Sequence, residues 1–415
     1  MEGACFCIML FANNIFRYTQ LIKYKLMKTT FFLFLIFSLS LKAQNLYKFS
    51  NDIEKEINND KSGDDSYKYQ IGAMNYSISN YYFKGLQTWD KLGRKEKKIS
   101  KDYSLKLVKH KIENAKDYIL NKSKKEEILI INEAHHYASH RTFATSLLKK
   151  LYENGYRYLG IEALGDDSIN IRKFPTTQSG FYTSEPQFGN FIKTALDLGF
   201  TLFKYEAESG KNGKEREIEQ AENIYKFMQK NKNGKYFIYC GYEHAYEGKH
   251  QTWEKTMAGR LSDLTKINPL TIDQTQFSER SDSELNDPLL SSINGNYPVV
   301  LLDEDKMLFK RIQKEPFTDI KIIHPITRYI QARPNWMLNK SRKFYEIPKS
   351  KIKNYPSLIF AYRKGEFENK GVPADIIELH SVKDSRYLIL DKGNYDIVVK
   401  DRTYKITNKF EESIE

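Results

Sequence analysis

Eight histidines occur in this 415-residue chain, and four of them fall in two short stretches that also carry carboxylates. The first stretch, NEAHH, brings Asn132, Glu133, His135 and His136 together, with His140 and Arg141 just beyond. The second, GYEH, ends in Glu243 and His244. Glu162 closes the apolar run YRYLGIEA, and Glu206 and Glu208 close FTLFKYEAE. An imidazole oriented by a carboxylate takes a proton from water or a hydroxyl near neutral pH. Two His and two Glu can instead hold a divalent metal that acidifies a bound water. Apposed carboxylates would raise each other's pKa and keep one protonated as an acid. The residue types alone leave these options open. Of the adjacent histidines, His136 is read as facing the site and His135 as packing or capping beside it. The isolated His110, His250, His324 and His380 read as surface or satisfied core residues, and Cys240, inside a buried strand, as inert.

These residues become a site only if the elements bearing them converge. Continuous apolar runs predict strands at 126–132, 156–163, 200–208, 234–244, 269–273, 298–303 and 320–325. Helical patterns separate several of them, at 139–153, up to Gly199, at 213–230 and at 253–264, and a further helical pattern covers 103–120. Alternation of this kind predicts an α/β fold, a mainly parallel central sheet flanked by helices on both faces. Ligand crevices in such sheets lie at the carboxyl ends of the strands, so Glu133, Glu162, Glu206 and His244 are expected on one rim. Residues 44–125 read as a polar leader and a helical segment, 126–345 as the catalytic-like core, and 346–415 as a small antiparallel β appendage with Lys-Gly and Asp-Lys-Gly-Asn turns.

Composition narrows the function classes. With 40% hydrophobic and 14% aromatic residues, the chain is not of a disordered type. The formal charge of +13 is spread along the chain without a block of like charges, so nucleic acid is not an expected partner. Lys28 followed by the run FFLFLIFSLSL at 31–41 and Ala43 predicts a secretory signal peptide starting at Met27, with 1–26 an upstream start artefact. The expected product is exported, periplasmic or secreted, and has no membrane span once the signal is cut. Only Cys240 would remain in it, so no internal disulfide is expected.

The order of these motifs resembles the opening of the erythromycin esterase-like and ChaN-like superfamily, related to the TIKI/TraB hydrolases. The similarity rests on EAHH with Arg141, on GYRYLGIEAL at 155–164, on REIEQAENIY at 216–225, on Gly241 to His244, and on TMAG at 256–259. It covers about 126–265. Asn132 stands where the family has Gly before the Glu. The resemblance implies Glu133 and His136 as an acid/base pair, Glu162 as a second carboxylate, His244 as a second imidazole and Arg216 as an orienting cation. Arg141, His135 and Glu206 join Arg216 as expected substrate-binding residues. The function expected is an exported hydrolase of an ester or related acyl bond in a small-molecule substrate, with no cofactor required. Two alternatives stand beside it: a haem- or iron-binding protein of the ChaN type, and a metal-dependent peptidase of the TIKI/TraB type.

Overall fold

The computed structural model describes residues 45–93, 100–102, 105, 110–293, 295–302 and 317–415. The signal-peptide reading, Cys5 and Cys7 fall outside these residues. So does part of the helical pattern at 103–120.

The stretch expected to be a polar leader is instead folded. It forms helix α1 (Ser50–Asn59), which precedes α2 (Asp65–Ile78) and α3 (Tyr82–Asp90). Hydrophilic spacing concealed two apolar anchors, Phe49 and Ile53, which are fully buried. Polar ties add to them: Asp52 pairs with Arg402 and accepts from Tyr404, and Ser50 N–H donates to Glu378. Further on, the predicted helix at 103–120 gives way at Lys111–Asn114 to a strand paired antiparallel with Val299–Leu302, and α4 (Ala115–Ser123) follows. The run at 298–303 therefore belongs to this ribbon, outside the central sheet.

The central sheet has six strands, β1 (Ile128–Glu133), β2 (Tyr156–Ile161), β3 (Thr201–Lys204), β4 (Lys235–Gly241), β5 (Leu270–Asp273) and β6 (Ile320–Lys321). They lie in the order β3-β2-β4-β1-β5-β6, and every pair is parallel. Alternate residues feed two separate cores. Leu129 and Ile131 pack with α4, α5 (Ser139–Glu153) and α6 (Pro186–Leu198), while Ile128 and Ile130 pack with α7 (Gly213–Lys230) and α8 (Met257–Thr265). Both faces are thus helix-covered, which is why the strands read as unbroken apolar runs. Helix α5 buries Phe143, Ala144, Leu147, Leu148 and Leu151, a single stripe at helical spacing. Helix α6 is delimited by Pro186 in its first turn, the Glu185 carboxylate accepting from Phe188 N–H, and Gly199 at φ 98° as its C-cap. The helix read from 253 begins at Met257, because 246–256 form an irregular loop.

The C-terminal part is an antiparallel sheet of β7 (Ser357–Arg363), β8 (Asp375–Leu379), β9 (Gly393–Lys400) and β10 (Ile406–Ile414), ordered β8-β7-β9-β10. A ribbon of Lys343–Glu346 with Tyr387–Leu390 accompanies it. Residues Tyr47–Glu415 form one compact unit. Asp375 helps to join its parts, accepting from Asn80 Nδ2 at 2.6 Å and Ile389 N–H at 2.7 Å while pairing with Arg333. Among the described residues no helix is long and apolar enough to cross a membrane.

Candidate active site

Parallel pairing brings the ends of β2, β4 and β1 side by side, with Glu133 level with Gly241. Glu133 follows Ile131 on the α5/α6 face, whereas Glu162, next to Ile161, turns to the α7/α8 face. Two half-sites result, one on each side of the sheet's edge.

In the first half-site, Arg141 clamps Glu133 with two hydrogen bonds of 2.6 Å, from Nε to Oε2 and from Nη2 to Oε1. The Tyr239 hydroxyl donates to Oε2 at 2.8 Å. His135 Nδ1 lies 3.0 Å from Oε1, which assigns the proton to Nδ1 and leaves Nε2 as an acceptor. Burial would raise the Glu133 pKa, but the Arg141 guanidinium and His135 outweigh it and hold it at about 2. Arg141 also donates to Glu185 Oε2 at 3.0 Å and to the His135 carbonyl at 2.8 Å, with Phe188 beneath its guanidinium.

The second half-site centres on Arg216. Its Nη2 donates to Glu162 Oε1 and Glu206 Oε2, both at 2.5 Å, and its Nε to Glu206 Oε1 at 2.9 Å. Its Nη1 lies 2.9 Å from His244 Nε2. His244 Nδ1 lies 2.7 Å from Glu217 Oε1, and Glu217 Oε2 accepts from Met257 N–H at the start of α8. The other Glu162 oxygen accepts from Gly241 N–H at 2.5 Å. Burial works against ionisation of Glu162, yet His244, His135 and Arg216 lower its pKa. Burial likewise opposes charge on His244, and the carboxylates of Glu162 and Glu217 raise its pKa over that opposition. Arg216 donating to Nε2 competes with the proton those carboxylates favour.

Gly241 joins the halves. A Cβ there would fall 2.3 Å from His135 Cε1, 2.6 Å from Nε2 and 3.3 Å from Glu162 Oε2, so the imidazole occupies the space a side chain would need. The His135 ring also stacks on Tyr182 at 3.9 Å. Between Glu133, His135, Glu162 and Tyr182 the cavity volume is about 10 Å³, room for about one water. Just past Gly241, Tyr242 takes the left-handed φ of 40°, a conformation that costs a non-glycine residue about 1–3 kcal/mol. Asn132 fixes it: Nδ2 donates to the Tyr242 carbonyl at 2.6 Å and to Asp273 at 2.8 Å, while Oδ1 accepts from Gln274 N–H. Here an amide side chain ties β1 and β5 to the turn that follows β4.

Several expectations change. His136 does not reach Glu133 or Glu162; it stacks on Trp89 at 3.9 Å, and burial drives its pKa well below the ordinary value. The turn closed by Tyr137 N–H on the Ala134 carbonyl points His135 to the carboxylates instead. Arg141 is fully buried and so positions Glu133 and Glu185 without reaching a substrate. Both carboxylates are lowered rather than raised, Glu133 by Arg141 and His135 and Glu162 by His244, His135 and Arg216, each against the effect of burial. Arg216, from the start of α7, joins Glu162 to Glu206 and His244, which follow the ends of β3 and β4, and the Arg216 and Glu206 side chains are the more open, at 28% and 35% exposure. Cys240 is buried, with its thiol pKa pushed well up by burial.

Sequence reading missed Glu217, Tyr239, Glu185 and Tyr182. Glu217 follows Arg216 directly, and Glu185 precedes Pro186, a helix-start signature. Tyr239 and Tyr182 carry no signal beyond the strand and loop that hold them.

Neither a metal nor haem fits this donor set. Every oxygen of Glu133 and Glu162 already accepts from a guanidinium, hydroxyl, imidazole or amide donor. Among the described residues no group of three or more His, Cys, Asp or Glu converges as metal ligands. The cavity between the carboxylates is far too small for a porphyrin.

No family model matches the chain, and no curated protein does. Among solved structures, the type III effector HopBA1 is 9% identical over 39% of this chain and 84% of its own, with a TM-score of 0.30. RRSP, a MARTX toxin effector domain from Vibrio vulnificus CMCP6, is 14% identical over 65% of this chain and 51% of its own, at 0.29. A structure described as bacterial protein toxins is 15% identical over 52% and 47%, also at 0.29.

Proposed function

We propose that the protein is a metal-independent hydrolase of an ester or related acyl bond, in which His135 activates water. One observation carries this reading: an imidazole whose Nδ1 is held 3.0 Å from an ionised Glu133 and whose residue lines a cavity for about one water. His135 Nε2 would take the water's proton as the oxygen attacks the carbonyl carbon, and Glu133 would stabilise the imidazolium. Arg216, partly exposed at the rim, would donate to the oxyanion. The His135 imidazolium would then pass that proton to the leaving oxygen as the acyl bond breaks, while His244, held between Glu217 and Arg216, positions the guanidinium. The motif resemblance to the erythromycin esterase-like superfamily supports the same chemistry, and the apolar run at 31–41 supports export of the enzyme.

The test is hydrolysis of aryl esters by purified protein with and without a chelator. Chelator should leave the rate unchanged, and His135→Asn should lower kcat by roughly 10²–10⁴ while the melting temperature holds. Full activity in His135→Asn, or its loss to chelator in the unaltered enzyme, would refute the proposal.

A further inference from the structure

We propose that His140 is a positioning residue for the base: its Nδ1 holds the main chain at Ala134, the residue between Glu133 and His135, so that the His135 ring meets the Glu133 carboxylate. This rests on the reading of His135 as the base. His140 is fully buried in the first turn of α5. Its Nδ1 accepts the Ala134 N–H at 3.1 Å, so Nδ1 is bare and Nε2 carries the proton. Nε2 lies 3.3 Å from Ser278 Oγ, and that hydroxyl donates to the Gln274 carbonyl at 3.4 Å. Donors and acceptors therefore alternate without conflict from Ala134 through the ring to Gln274.

Glu133 Oε1 and His135 Nδ1 meet at 3.0 Å across a single intervening residue, so the dihedrals of Ala134 set their contact. Both polar groups of Ala134 are tied, the N–H to His140 and the carbonyl to Tyr137 N–H at 2.8 Å. The Tyr137 carbonyl in turn accepts from His140 N–H at 3.2 Å, closing the turn onto the start of α5. The support behind the ring is itself anchored. Gln274 donates from its N–H to Asn132 Oδ1 and from Nε2 to the Asn132 carbonyl, both at 2.8 Å. Its Oε1 lies 3.1 Å from Nε2 of His324, whose ring packs 5.1 Å from that of His140. The neighbours of Glu133 on either side, Asn132 and Ala134, are thus held by one buried network, the kind of support that preorganises a reacting group. A ring present only to fill the core would need no bond to Ala134, and an apolar side chain of similar size would replace it.

Two variants of the full chain separate positioning from packing. His140→Leu fills much of the space and removes the acceptor, whereas His140→Asn loses volume and keeps an oxygen where Nδ1 stood. In protein isotope-labelled at the histidine nitrogens, the His135 Nδ1–H resonance is identified by its absence in His135→Asn. It should persist in His140→Asn and be lost in His140→Leu. Aryl-ester kcat should fall by about 10²-fold in His140→Leu with KM unchanged, and by less than about tenfold in His140→Asn. Should either variant fail to fold, the unaltered protein answers the question: His140 should show a bare Nδ1 and a protonated Nε2, and the reverse tautomer would overturn the proposal. An intact His135 resonance in His140→Leu, or a His140→Asn no better than His140→Leu, would overturn it too. If the resonances behave as expected while the unaltered protein hydrolyses no ester, the positioning of His135 stands and the hydrolase reading is what fails.

Discussion

Glu133 can remain ionised inside the protein only because Arg141 lies against both of its oxygens. Substituting Glu133→Gln keeps the shape and removes the charge, leaving a fully buried guanidinium with Glu185 as its one ionic partner. Breaking a buried pair in this way costs about 3–5 kcal/mol, so the variant should unfold at markedly lower denaturant. A loss below about 1 kcal/mol would show that Glu185 alone satisfies Arg141. At this scale the sequence was only partly legible. Glu133, Glu162 and His244 stood out because they end apolar runs. The choice between His135 and His136 depended on a four-residue turn whose dihedrals no spacing rule specifies, and on Trp89, which arrives from α3 some fifty positions earlier.

Among the elements, the end of β4 carries the greatest demand. Gly241→Ala keeps an ordinary backbone conformation, φ −91°, so its cost is purely the collision with the His135 ring. The ring must shift off Glu133 or off Tyr182. Activity should therefore fall by about 10²-fold or more, with a stability loss of only about 1–3 kcal/mol. Unchanged kcat in Gly241→Ala would mean that His135 is not the base. The strands of the central sheet were readable because burial on both faces makes them continuous apolar runs. The ribbon of 111–114 with 299–302 was not, since pairing between segments so far apart leaves no local periodicity. Nor was the docking of α1, whose polar surface hides the contribution of Phe49 and Ile53.

For the whole molecule, the buried titratable groups set how stability depends on pH. His136 and His140 are pushed well below the ordinary value of 6.5 by burial, and His324 to about 3. They are neutral in the fold, while the unfolded chain takes up protons below pH 6.5, so each costs up to about 1.4 kcal/mol per pH unit on acidification. Glu133 and Glu162, with lowered pKa, act in the same direction: their stabilisation is present above 4.5 and is lost as pH falls through their folded values. His244, raised, acts oppositely: its contribution is complete below 6.5 and is lost as pH rises through its folded value. Glu279 and Glu366, whose carboxyls burial raises, act with His244, and three histidines and two carboxylates outweigh these three groups. The melting temperature should therefore drop from pH 7 to 5 and more steeply below 4.5; a rise on acidification would contradict this assignment of buried charge.

The cavity beside His135 has a consequence for which esters such an enzyme would accept. With space for a single solvent molecule, the acyl carbon has no interior berth and must be presented from outside. A large carrier is then no handicap, because it stays in the open. Branching right beside the carbonyl is the handicap, since it would stop the reactive carbon short of the water.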